Sequence, residues 1–105
     1  MSDQRPQATA TVQVDNERCK VTRWDFAPGA ETGWHRHGHD YVVVPLNAGV
    51  MRLETPDGER EVTLTAGVSY SRIEGTEHNV INAGDESFAF VEVEMKVPAP
   101  SETSL

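Results

Sequence analysis

Three of the chain's four histidines fall within five residues, at alternate positions of the segment GWHRHGHDY: His35, His37 and His39. On a β-strand, residues i and i+2 project to the same side, so a regular strand turns all three imidazoles one way. Two imidazoles so placed can converge on one ion at the metal–nitrogen distance of about 2.0–2.1 Å. The same H-x-H pattern also suits a solvated polar strand, and taken alone it does not choose between the two. A core location would choose, because clustered imidazoles repel when protonated and need a metal, or neutrality, to lie together away from water.

The strands that would have to hold such a site are marked out by the turn residues between them. Segments rich in Val, Thr and aromatic residues cover 9–15, 19–26, 41–46, 50–55, 60–64, 68–73, 77–82 and 88–97. They alternate with PGAETG, NAG and PDG, which carry the Pro and Gly of tight turns. No window shows a sustained helical period with a cap. The reading is an all-β fold, a small β-barrel or sandwich. At 105 residues the chain has room for one domain. Residues 9–97 are assigned to it, with polar tails at 1–8 and 98–105.

Composition narrows the function classes. The net charge of −8 argues against a nucleic-acid partner, which needs a basic face. No apolar run is long enough to span a bilayer, so no membrane partner is expected. The N-terminal MSDQRPQATA lacks the apolar segment of a secretory signal, and a cytoplasmic location is expected. A single cysteine, Cys19, cannot form an internal disulfide or a cysteine-based zinc cage, and is read as a small buried strand residue.

Two strands carry further expectations. VVVPL, residues 42–46, is apolar at every position and reads as buried on both faces, which implies a second layer or a partner subunit. Pro45 cannot donate a ladder hydrogen bond and belongs at an edge or a bulge. A homodimer is expected, in which the segment ATVQV is free to pair with a neighbour's sheet edge; the alternative is a monomer in which residues 9–14 fold back over the chain's own sheet. FAFVEVEMK reads as an ordinary half-exposed strand, with Ala89, Val91, Val93 and Met95 on one face and Glu92, Glu94 and Lys96 on the other.

The spacing of the histidines resembles the cupin superfamily. Its first motif runs G, five residues, H-x-H, three or four residues, Glu, six residues, G. Here Gly29 is followed by five residues, then His35 and His37, and Gly49 closes the motif. The second motif runs G, five residues, P-x-G, two residues, H, three residues, N. Here Gly67 leads to Ile73-Glu74-Gly75, then His78 and Asn82. The resemblance covers about residues 18–97. The stretches GWHRH, DYVVVPL and EHNVIN are in particular similar to those of small single-domain cupins associated with β-alanine degradation. The chain departs from the pattern twice. Ile73 replaces a proline that stiffens a turn, and the glutamate position falls on Tyr41 or Val42, neither of them a carboxylate.

The resemblance implies a single-domain cupin β-barrel or jelly-roll sandwich with a metal on His35, His37 and His78. Three neutral imidazoles suit a divalent transition ion such as Fe, Ni or Zn and disfavour Mg and Ca. Tyr41 is a possible fourth ligand or a pocket residue, and a phenol near pKa 10 must lose its proton to ligate. His39 is a possible further ligand or a peripheral residue. Asp40 is a candidate partner for an imidazole N–H or else a solvated turn residue, and Asn82 a turn-fixing residue near the metal strand. Trp24, Trp34 and Tyr70 read as core or rim packing residues, and Arg23 and Arg72 as exposed strand arginines or clamps for a substrate carboxylate. Some cupin dioxygenases for thiols and diketones hold iron on three histidines. Two function classes therefore stay open. One is a metal-dependent dioxygenase or isomerase of a small carboxylate- or carbonyl-bearing metabolite. The other is a non-catalytic protein that binds a metal or small ligand beside a catabolic pathway. No second acid–base residue on the barrel wall is evident in the sequence.

Overall fold

In the computed structural model, residues 4–96 are described and every regular element among them is a β-strand. In chain order these are β1 (Thr9–Asp15), β2 (Cys19–Phe26), β3 (His35–Arg36), β4 (Asp40–Pro45), β5 (Gly49–Thr55), β6 (Gly58–Leu64), β7 (Tyr70–Arg72), β8 (Glu77–Asn82) and β9 (Phe88–Met95). They form two antiparallel sheets, a five-stranded one ordered β1-β2-β9-β4-β7 and a four-stranded one ordered β3-β8-β5-β6. The sheets face each other as a jelly-roll sandwich and are not closed into a hydrogen-bonded barrel.

The core lies between the sheets because each strand turns one alternate set of side chains inward. From the first sheet come Phe26, Tyr41, Val43, Phe88 and Phe90, and from the second Met51, Leu53, Leu64 and Val80. Phe26 sits at the centre, its ring 4.7 Å from Phe88 and 5.4 Å from Phe90, centroid to centroid. Gly49, which closes the first motif, faces Phe88. A Cβ there would lie 2.7 Å from the Phe88 ring, so any side chain would push the two sheets apart.

Several expectations need revision. Pro45 sits on an interior strand, not at an edge or bulge: β4 lies between β9 and β7. Its carbonyl accepts from Gly67 N–H at 2.9 Å on the β7 side, and the missing N–H faces that side too. There β7 has already ended at the Tyr70–Val43 pair, so no ladder bond is forfeited. VVVPL is not covered on both faces within one chain. Val43 and Pro45 are buried, whereas Val42 and Val44 point outward and stay half-buried. Cys19 is likewise half-buried, not buried.

β1 folds back on its own chain and pairs with β2, so the expected exchange of this strand with a neighbour's sheet edge is not what it does here. Residues 5–8, read as tail, are held: Ala8 is buried, and its N–H donates to Glu31 O at 2.8 Å. Of the expected tails, 1–3 and 98–105 lie outside the described residues.

The strand β9 has the opposite polarity to the one its composition suggests. Register pairs Val42 and Val21 with Val93, and Val44 with Val91, so the valines of β9 face outward. Glu92 pairs with Val43 and Glu94 with Tyr41, so both glutamates follow Phe88 and Phe90 on the inward face. Val14, Val21, Val42, Val44, Val91, Val93 and Met95 thereby share the outer face of the five-stranded sheet.

Candidate metal centre

His35 and His78 are cross-strand partners in the β3–β8 ladder, which places their side chains side by side on one face. His37 follows after β3 ends, but its backbone continues the pairing. Its N–H donates to Thr76 O at 2.9 Å, and its C=O accepts from Gly75 N–H at 2.8 Å. The three imidazoles meet at their Nε2 atoms, 3.0 Å apart between His35 and His37 and 3.2 Å between His37 and His78. Nitrogens bound to one ion at 2.0–2.1 Å would be about 3.0 Å apart at right angles and about 3.4 Å apart in a tetrahedron. The observed spacing falls within that range, so the donor set fits a divalent transition ion.

The protonation states fit as well. His35 Nδ1 lies 2.9 Å from Gly33 O. A carbonyl can only accept, so Nδ1 carries the proton and Nε2 presents its lone pair to the cluster. Burial, and then the His35 charge, hold His37 down to about 4. Burial, then His35 and His37, hold His78 down to about 3. Both rings are therefore neutral ligands at neutral pH.

The remaining site candidates separate. Tyr41 is buried with its ring stacked on His37 at 3.9 Å, and Val42 faces outward, so the motif position turned toward the cluster is the phenol. Burial, and then Glu92, push the Tyr41 hydroxyl above its ordinary range, which works against a phenolate ligand. His39 lies in the bend after β3 and is not one of the three converging histidines. Asp40 accepts from Glu74 N–H at 2.8 Å and anchors the turn, not an imidazole. Asn82 donates to Phe26 O and Glu86 O and accepts from Gly84 N–H. Its bonds fix the turn after β8 and none goes to a ring nitrogen. At Ile73 the turn forms without proline, through Thr76 Oγ1 to Ile73 O at 2.7 Å.

Beside His78 opens a cavity of about 300 Å³ between the sheets. Tyr41, Tyr70, Arg72, Phe90 and Glu92 line it, and the Arg72 guanidinium lies 4.6 Å over the Tyr70 ring. Arg23 is not part of this cavity and pairs with Asp25 at 3.1 Å. Trp24 packs against the core, whereas Trp34 is exposed. The sequence reading missed Glu92. Burial, and then the Glu94 carboxylate, push it up to about 7. The usable signal was its phase: Phe88, Phe90 and Glu92 recur at alternate positions, so core-facing phenylalanines carry the glutamate inward with them.

These shifts predict the pH dependence of the metal-free protein. His37 and His78 have folded values below the ordinary 6.5, so their contribution is present above about pH 6.5 and is lost as pH falls toward about 4. Glu92 has the opposite sign: its contribution is present below 4.5 and is lost as pH rises through about 7. Between about pH 4.5 and 6.5 unfolding takes up two protons at the histidines and releases one at Glu92. The net uptake of about one proton makes stability rise with pH, by at most about 1.4 kcal/mol per unit. Urea midpoints at pH 5 and 6.5 check this, and equal or falling midpoints would contradict it.

Comparison with known proteins agrees with this geometry. The family model described as a cupin domain matches residues 22–94. The β-alanine degradation protein BauB of Pseudomonas aeruginosa is 63% identical over 92 residues, covering 88% of this chain and 97% of that protein. A crystal structure of a cupin domain from Bordetella pertussis Tohama I matches with a TM-score of 0.87 at 62% identity, over 90% of this chain and 98% of that one. A conserved protein with a double-stranded β-helix domain from Klebsiella pneumoniae matches at 0.73 and 25% identity, over 90% and 81%. With the family model spanning most of both sheets, and relatives alike over nearly their whole length, the chain belongs to the cupin family.

Proposed function

We propose that the protein is a metal-dependent enzyme of a small carboxylate- or carbonyl-bearing metabolite, of dioxygenase or isomerase type, with Fe, Ni or Zn on His35, His37 and His78. The observation that carries this reading is the convergence of three Nε2 atoms, one of them from His78, which also lines a cavity sized for a small molecule. A bound divalent ion would supply Lewis acidity or, if iron, oxygen chemistry. The chain's own groups do the rest. Val43, Met51, Leu53, Val80 and Phe90 make part of the cavity wall apolar. The Tyr41 hydroxyl is buried without a hydrogen-bond partner, which a ligand oxygen would satisfy. Glu92, near neutrality in its proton affinity, can give or take a proton at the cavity wall. Arg72 offers a cation for a substrate carboxylate. The 63% identity to BauB supports a place in β-alanine degradation.

Glu92 favours catalysis over a purely accessory role, because a passive binding site has no need of a buried acid–base group. The test is turnover, by oxygen uptake and product analysis, with thiol, diketone and 3-oxo acid substrates on protein loaded in turn with each metal. Glu92→Gln is expected to cut turnover by about 10²–10⁴-fold. Binding of these compounds without turnover under any metal would favour the accessory reading.

The outward valines of β4 and β9 also support a homodimer through the outer face of the five-stranded sheet.

A further inference from the structure

We propose that Asn79 is a positioning residue for His35, holding its imidazole in the tautomer and orientation that aim Nε2 at the cluster. Its geometry stands independently, and its consequence for metal binding rests on the three-histidine reading above. Asn79 is buried on β8 and points away from the cavity side that His78 and Val80 occupy. Its Oδ1 accepts the Gly33 N–H at 2.9 Å. Its Nδ2 donates to two carboxylates, Glu31 at 2.7 Å and Glu54 at 3.0 Å. Arg5 closes the group on the outside, 2.9 Å from Glu31 and 3.8 Å from Glu54.

Gly33 is thus fixed at both ends. Asn79 holds its N–H, and its C=O accepts from His35 Nδ1. The residue sits at φ +89, a conformation that has other nearby solutions for glycine unless something selects one. Asn79 selects it from the N–H side, while the Thr32 hydroxyl donates to the same carbonyl at 2.9 Å. The two carboxylates on Nδ2 polarise the amide, which strengthens Oδ1 as an acceptor. Fixing the carbonyl then fixes the proton on Nδ1 and leaves the Nε2 lone pair for the ion. Such outer partners set ligand orientation in metal sites, and losing one typically costs about 10–100-fold in affinity.

Two substitutions separate positioning from plain stability. Asn79→Ala removes the acceptor for Gly33. Asn79→Asp keeps it but sets a third carboxylate against Glu31 and Glu54. The melting temperature of the metal-free protein should therefore fall in the order wild type, Ala, Asp. Co(II) affinity, measured by competition, should fall in a different order: wild type, Asp, then Ala about 10–100-fold down. Nitrogen NMR of the metal-free protein should show His35 protonated at Nδ1 in wild type and mixed in Asn79→Ala. Adding Glu31→Gln and Glu54→Gln to Asn79→Asp relieves the repulsion and should restore stability with affinity retained. Affinity that tracks melting temperature across the set, or an unchanged His35 tautomer in Asn79→Ala, overturns the proposal. A changed tautomer with no cobalt bound by any variant supports the positioning role and refutes the metal reading instead.

Discussion

Replacing His78 with Ala is expected to lower affinity for a divalent transition ion by far more than the ~10–100-fold that loss of an outer partner costs. His78 is one of three converging donors, and its loss leaves two imidazoles at alternate positions of one segment with no third arm to close the site. His39→Ala should bind almost as wild type, because His39 lies in the bend outside the cluster. Competition with a chromophoric chelator checks both. Binding in the wild type should weaken as pH falls, since protons compete with the ion for the imidazoles. Equal affinity in wild type and His78→Ala would contradict the assignment.

The second large effect concerns assembly. Val14, Val21, Val93 and Val42 lie in one row across four neighbouring strands, with Val44 and Val91 beside them, on a chain whose net charge is −8. Charge of that size opposes loose association but not a specific apolar contact. In a symmetric dimer Val93→Glu enters the interface twice, once from each copy. An unpaired charge buried in this way costs about 3–5 kcal/mol each time, so the dissociation constant should rise on the order of 10⁴-fold or more. Sedimentation equilibrium at micromolar concentration should give about twice 11.6 kDa for wild type and a single-chain mass for the variant. A wild-type mass near 11.6 kDa would rule the dimer out.

Much of the fold was legible because turn residues punctuate it. PDG marks the β5–β6 hairpin, and the apolar segments on either side are strands close to where they were expected. The clustering of His35, His37 and His78 was legible only through the two-motif resemblance, since 41 residues separate His37 from His78 and strand pairing brings them together. What the sequence hid was facing. Alternation in FAFVEVEMK shows two faces but not which one meets the core, and the apolar set turned out to be the outer one. Phe88 and Phe90 outweigh the valines for the interior because they bury more area. Asn79 carried no signal, because its role depends on Glu31, Glu54 and Gly33 arriving from other parts of the chain. Asp40 reads as a candidate imidazole partner because it adjoins the histidines in sequence, yet its carboxylate serves a turn, whereas Asn82 fixes a turn as its motif position suggested.

The central claim is a three-imidazole metal centre, and elemental analysis of protein purified without a histidine tag tests it most directly. About one Fe, Ni or Zn ion per chain is expected, falling to none in a His35→Ala/His78→Ala variant that keeps its fold. Wild-type protein that holds no ion and takes none up from Fe(II), Ni(II) or Zn(II), or a double variant that retains the full complement, would contradict it.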